Sequence, residues 1–179
     1  MDFELLTLQN FLGPSVKIFR DYENRIIVNG DINISVDNNI FSYMPVKIYI
    51  LNGNLYWHAA DKKNNLTSLK NFPTIVNGDV IIYGNSSLFR FDYFPETITG
   101  NFECDKCMIE SFDGIRGTIG KNLTASFNPI KDISGLKNVS VGGKISLVGI
   151  DKKIINEAKT IADSSIIVEF LEYNDSYII

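Results

Sequence analysis

Six short apolar pairs recur along this chain at a nearly constant interval, and no other feature restricts its fold so strongly. They are Ile32/Ile34, Leu55/Trp57, Val80/Ile82, Phe102/Cys104, Leu123/Ala125 and Ile145/Leu147. Their first members are separated by 23, 25, 22, 21 and 22 residues, a period close to 22. A fixed period of this length is the signature of stacked supersecondary units. Within each pair the apolar residues alternate with one other residue, the two-residue period of a β-strand, so both side chains point to one face.

The rest of the unit repeats as well. A glycine precedes most strands (Gly30, Gly53, Gly78, Gly100, Gly120 and Gly143), supplying the positive φ or close backbone approach that a tight turn into a strand requires. Downstream lies a second apolar step with a three-residue stride: Phe41/Met44, Leu69/Phe72, Phe91/Phe94, Phe112/Ile115 and Ile133/Leu136. Proline follows it directly at Pro45, Pro73 and Pro95, which ends any helical turn at that point. A third apolar position (Val76, Ile98, Ile119 and Val141) leads back to the glycine. The best-formed copy is Asn65 to Asn85, NLTSLKNFPTIVNGDVIIYGN.

One strand per 22 residues cannot bury its apolar face alone. Stacked units bury it together, giving a parallel sheet on one side and tight turns or 3-10 pieces on the other. The segments Phe102-x-Cys104-x-x-Cys107-x-Ile109 and Leu123-x-Ala125-x-x-Asn128-x-Ile130 resemble the LxLxx(N/C)xL core of leucine-rich repeats. The 65–85 copy is similar to the short degenerate repeats of phage and bacterial leucine-rich-repeat-like proteins. Departures occur where Asp37 and Asn85 hold the asparagine position but are followed by spacing slips, where Ala60 and Ile150 occupy it, and around Asp61 to Asn64, an insertion that reads as an exposed loop.

The expected architecture is therefore a mostly β, leucine-rich-repeat-like solenoid of parallel strands, with five to six repeats over residues 26–150. Residues 1–25 form an N-terminal cap, in which 2–12 predict a short amphipathic helix or an irregular cap, stopped by Gly13-Pro14. Residues 151–179 form a C-terminal cap. There Ile154, Ile155, Ala158, Ile161 and Ala162 fall at helical spacing after Asp151 as N-cap, followed by a strand over 165–171.

Composition removes several function classes. Hydrophobic residues make up 45% and charged residues 21% of the 179, ordinary values for a packed domain. A net charge of −4 opposes a general nucleic-acid surface, which needs clustered Lys and Arg, and a polybasic membrane anchor. No apolar run reaches the roughly 18 residues of a spanning helix. The acidic start MDFELL lacks the positive charge of a secretory signal, so the expected location is the cytoplasm, that of a host if the protein is viral. Asn65-Leu-Thr67 and Asn122-Leu-Thr124 then read as turn asparagines rather than glycan acceptors.

Little of the sequence points to catalysis. Cys104-Asp-Lys-Cys107 is a CxxC, but without a second pair or a histidine cluster it does not make a zinc site. In register, Cys104 faces inward and Cys107 takes the N/C position that caps backbone, so structural thiols outweigh a redox reading. His58 is the single histidine, at an outward strand position, and no nucleophile elbow or P-loop accompanies it. Asp31 and Asp79 recur after glycine but lack the ligand count of a calcium loop. No cofactor, metal or catalytic residue is expected, and the chain reads as a non-enzyme.

The outward face of the strands is what remains. Its rows hold Asn33 and Ser35, Tyr56 and His58, Ile81 and Tyr83, Glu103 and Asp105, Thr124 and Ser126, then Ser146 and Val148. The middle three rows form the expected partner-binding patch: Tyr56, His58, Ile81 and Tyr83 as its aromatic-apolar part, Glu103 and Asp105 as its acidic edge. Aromatics beside charge carry binding energy at protein interfaces. The alternative is that a terminal segment or a second copy covers this face. The expected function is a protein–protein interaction module; the phage-like repeat implies an inhibitor of a host or defence protein. A self-associating virion component is the alternative, and a CxxC redox enzyme the third reading.

Overall fold

A computed structural model describes residues 2–34, 42–59, 66–161 and 168–169. Helix α1 (Phe3–Leu12) opens the chain. Strands β1 (Lys17–Arg20), β2 (Ile26–Asn29), β3 (Ile32–Ile34), β4 (Ile50–Asn52) and β5 (Leu55–His58) follow. Next come β6 (Ile75–Val76), β7 (Val80–Tyr83), β8 (Thr97–Ile98), β9 (Phe102–Glu103), β10 (Gly117–Ile119) and β11 (Leu123–Thr124). A 3-10 helix (Ser134–Asn138), β12 (Val139–Val141), β13 (Ile145–Ser146), α2 (Lys152–Ile161) and β14 (Val168–Glu169) complete it.

These strands wind into a β-solenoid with two sheets. Sheet A runs β1-β2-β4-β6-β8-β10-β12 and sheet B runs β3-β5-β7-β9-β11-β13-β14. Among the described residues every strand pairing is parallel except β1 with β2, which closes the first turn as an antiparallel hairpin. All six strands expected from the repeat begin where the period places them, and all lie in sheet B. Sheet A is a difference from the sequence reading, which assigned that side to turns. It forms because Val76, Ile98, Ile119 and Val141, the third apolar positions, also stack in register.

Polar ladders lock the turns together, one of them through the Asn29, Asn52 and Asn77 side-chain amides at the ends of β2, β4 and β6, 2.7 Å per step. Between the sheets, one Asx position recurs in each turn, and its side chain accepts the N–H of the next copy. Asn54 donates to Asp31 Oδ1 at 2.7 Å, Asp79 to Asn54 at 2.8 Å and Asn101 to Asp79 at 2.7 Å. Asn122 to Asn101 at 3.2 Å and Lys144 to Asn122 at 2.9 Å extend the series. The glycines just before this ladder are required by the spacing of the turns. A Cβ at Gly100 would sit 2.6 Å from the carbonyl oxygen of Gly78 and overlap Asp79 Oδ1. The three-residue apolar steps are closed turns: Phe72, Phe94, Ile115 and Leu136 donate to Leu69, Phe91, Phe112 and Ile133 at 2.9–3.2 Å.

The core runs between the sheets as one continuous cluster. Phe91 sits at its centre, with ring centroids 5.8, 5.6 and 5.5 Å from Phe94, Phe102 and Phe112. Both caps extend it. α1 is N-capped by Asp2 and stopped at Gly13; it buries Leu8 and sets Phe11 6.4 Å from Trp57. It is not amphipathic as expected, since Phe3 and Leu6 remain exposed. α2 buries Ile155 and Ala158, and Asp151 Oδ1 accepts the Lys153 N–H at 2.7 Å at its start. β14 falls inside the predicted terminal strand and pairs with β13. Phe41, Asp37, Ser35, Ala60, Ala162, the 61–64 insertion and most of the 165–179 segment lie outside the described residues.

Candidate functional site

Sheet B brings the predicted surface residues into two registered rows. Tyr56 pairs with Ile81 and Ile81 with Glu103, across β5, β7 and β9. His58 pairs with Tyr83 in the second row, and Asp105 continues it, its carbonyl accepting the Gly84 N–H at 3.2 Å. The inward neighbours Leu55, Trp57, Val80, Ile82 and Phe102 are fully buried, which fixes the orientation of the rows. His58 is exposed, and Tyr56, Ile81, Tyr83, Glu103 and Asp105 are half-buried. The rings form a chain: Tyr56 to His58 is 6.2 Å between centroids and His58 to Tyr83 is 6.3 Å. Asn33, Thr124 and Ser146 extend the first row.

The acidic edge is held against its electrostatic preference. Burial, reinforced by Asp105, raises the Glu103 carboxyl above its ordinary pKa. Burial likewise raises Asp105, although the Ser126 N–H donates to its Oδ1 at 2.6 Å and Lys106 opposes the shift. Ser126, expected on the outward face, is instead buried. Its N–H is taken by Asp105 and its hydroxyl accepts the Val148 N–H at 3.3 Å. The Lys106 ammonium lies 5.4 Å from the Tyr83 ring centroid and 5.9 Å from that of Phe127. Its pKa is raised, first by hydrogen bonding with Tyr83.

Cys107 belongs to a third ladder, inside the coil. The Asn85 amide donates to the carbonyls of Trp57 and Tyr83 at 3.1 Å each and accepts the Leu66 N–H at 2.9 Å. Asn128 repeats the pattern on Cys104, Ser126 and Ile109 at 2.8, 3.2 and 3.1 Å. Between them, Cys107 Sγ makes the two donor contacts, to Ile82 and Asp105 at 3.8 and 3.6 Å. Both thiols are buried. Burial raises Cys104 well above its ordinary value and Cys107 to about 11. Thiol chemistry proceeds through the thiolate, and neither environment favours it.

Two residues on the same edge carry no obvious signature. Gly84, Lys106, Phe127 and Gly149 stand in one column just before the inner ladder, all with φ between 51° and 72°. Glycine adopts this left-handed region freely; lysine and phenylalanine do so only with strain. Phe127 is 46% exposed. The 22, 21 and 22-residue spacing from Gly84 through Gly149 is the one signal that could have marked them.

Elsewhere, a depression at the N-terminal cap is lined by Gln9, Asn10, Gly13, Pro14 and Val16. That lining holds no titratable side chain, and the Gln9 amide is committed to the Gly13 and Val16 carbonyls. Among the described residues no three His, Cys, Asp or Glu side chains are grouped to hold a metal ion, and no helix is long and apolar enough to cross a membrane. Compared with protein-family models, curated proteins and solved structures, the chain matches none.

Proposed function

We propose that this chain is a non-enzymatic protein-binding module that holds its partner on the outer face of sheet B. One observation carries the reading. Tyr56, His58, Ile81 and Tyr83 stand in two registered rows, His58 exposed and the other three half-buried, on parallel strands anchored from behind by fully buried Leu55, Trp57, Val80 and Ile82. Aromatic side chains on a rigid scaffold lose little conformational entropy on binding and dominate interface energetics. The likeness of the repeat to phage-type leucine-rich-repeat proteins supports a more specific form, a phage protein that binds and inhibits a host or defence protein in the host cytoplasm. Affinity capture from the native host, run in parallel with Tyr56→Ala/Tyr83→Ala, tests the reading. The partner is expected to be lost from the double variant; a partner retained equally by both would refute the placement.

A second reading, self-association as a structural component, is favoured by sheet A. Phe19, Ile27, Ile50 and Ile75 pair in register on the face opposite Val28, Leu51 and Val76, giving an apolar outer row in which Phe19 is exposed, Ile50 and Ile75 are half-buried and Ile27 is buried. Light scattering at micromolar concentration separates the two. A monomer supports the module, and an oligomer dispersed by Ile50→Asp supports assembly.

A further inference from the structure

Lys106 and Phe127 hold left-handed backbone, at φ 51° and 55°, in a column whose other members are glycines. Strain of this kind persists where the side chain has a use that the backbone preference opposes. Packing supplies only part of that use for Phe127, which is nearly half exposed. Its ring lies over Gly149, where an added Cβ would come within 2.8 Å of Cδ1. With Lys106 between them, Tyr83 and Phe127 make a stack across three turns at the end of the sheet B face. Beside it, the Glu103 carboxylate makes no ion pair or hydrogen bond among the described residues, and its row neighbours are Ile81 and Thr124.

On the reading that sheet B is the docking face, we infer that its partner presents a basic residue to Glu103 and an apolar residue to Phe127, no more than about three residues apart in an extended segment. The spacing follows from the register. Thr124 pairs with Glu103, and Phe127 lies three residues beyond Thr124 but past the end of β11, in a corner at φ 55°, so the roughly 10 Å that three extended residues span is the upper bound on its offset along the strand. An arginine fits the first position best. Its planar fork meets a carboxylate bidentately while its apolar stem covers Ile81. Burying Glu103 against a cation satisfies a carboxylate that the free protein leaves uncompensated, which is the charge complementarity that selects a basic segment.

A random dodecapeptide display library panned against the whole protein tests this directly. Enriched peptides should share a basic residue and, within three positions of it, an aliphatic or aromatic one. They should bind Phe127→Gly and Glu103→Gln at least tenfold more weakly. Phe127→Gly restores the residue that the column prefers, so its melting temperature should equal or exceed that of the parent. An acidic or uncharged consensus, or peptides that bind Phe127→Gly as well as the parent, would overturn the inference. A drop in melting temperature for Phe127→Gly would do the same, by showing the ring to be structural. Peptides retained by Phe127→Gly but lost on Tyr56→Ala/Tyr83→Ala overturn it while leaving the docking face in place. Peptides indifferent to every variant overturn both.

Discussion

Replacing Asn85 by alanine should be the most damaging loss of a polar side chain in the coil. Asn85 is fully buried and makes three hydrogen bonds, two donated to the carbonyls of Trp57 and Tyr83 and one accepted from the Leu66 N–H. Each is worth about 1 kcal/mol net, and a buried N–H left without an acceptor costs about 1–3 kcal/mol. The expected loss is thus about 3 kcal/mol, a large share of the roughly 5–15 kcal/mol that stabilises a folded domain. For a chain of this length it corresponds to a fall in Tm of about 6–12 °C. Trp57 is the single tryptophan and its carbonyl is one of the three partners, so its fluorescence and far-UV circular dichroism follow the same event. Coincident transitions would license the two-state arithmetic, which repeat arrays do not always obey. Asn52→Ala is the internal control. Its ladder bonds to Asn29 and Asn77 are short, 2.7 Å each, but exposed, so water replaces them and the loss should stay below about 1 kcal/mol. Equal effects at the two positions would refute the argument that burial, rather than ladder geometry, gives these asparagines their weight.

Other perturbations test separate parts of the account. Gly100→Ala should destabilise by about 3 kcal/mol or more in urea titration, since its Cβ would meet the Gly78 carbonyl at 2.6 Å and backbone must shift; a near-neutral result would mean the turns are not so closely stacked. Neither Cys104 nor Cys107 should react with a thiol reagent in the native state at pH 8, because burial raises both. Both should react in urea, and stoichiometric native labelling would revive the redox reading. Glu103 is raised in the fold above its ordinary 4.5, so the unfolded chain ionises first and this group opposes folding at neutral pH. Glu103→Gln should therefore melt higher than the parent at pH 7, the gap closing as pH falls toward 4.5; a gap that widens on acidification would reverse the sign of the argument.

How much of this was legible in the sequence varied with the kind of residue involved. Strand starts in sheet B were readable because alternation of large apolar residues with polar ones, as in Leu55-Tyr-Trp57-His, survives drift. Sheet A was not, because its later turns each supply one buried apolar residue, such as Val76 or Ile98, where sheet B supplies an alternating pair such as Phe102 and Cys104. The corner ladder showed only as Asp31 and Asp79. Asn54, Asn101 and Asn122 occupy the same position, since what the turn needs is a side-chain oxygen that accepts an N–H, and asparagine and aspartate both supply one. The patch of Tyr56, His58, Ile81 and Tyr83 followed from register alone. Lys106 and Phe127 stayed hidden because their backbone is that of glycine and their side chains are not.

The central claim is that the outer face of sheet B is the working surface. Hydrogen–deuterium exchange on the protein alone and in complex with the captured partner tests it most directly. The account predicts new protection over residues 55–58, 80–84, 102–106 and 126–127, with the outer strands of sheet A unchanged. Protection confined to β1, β2, β4 and β6 instead, with residues 80–84 exchanging as in the free protein, would contradict it.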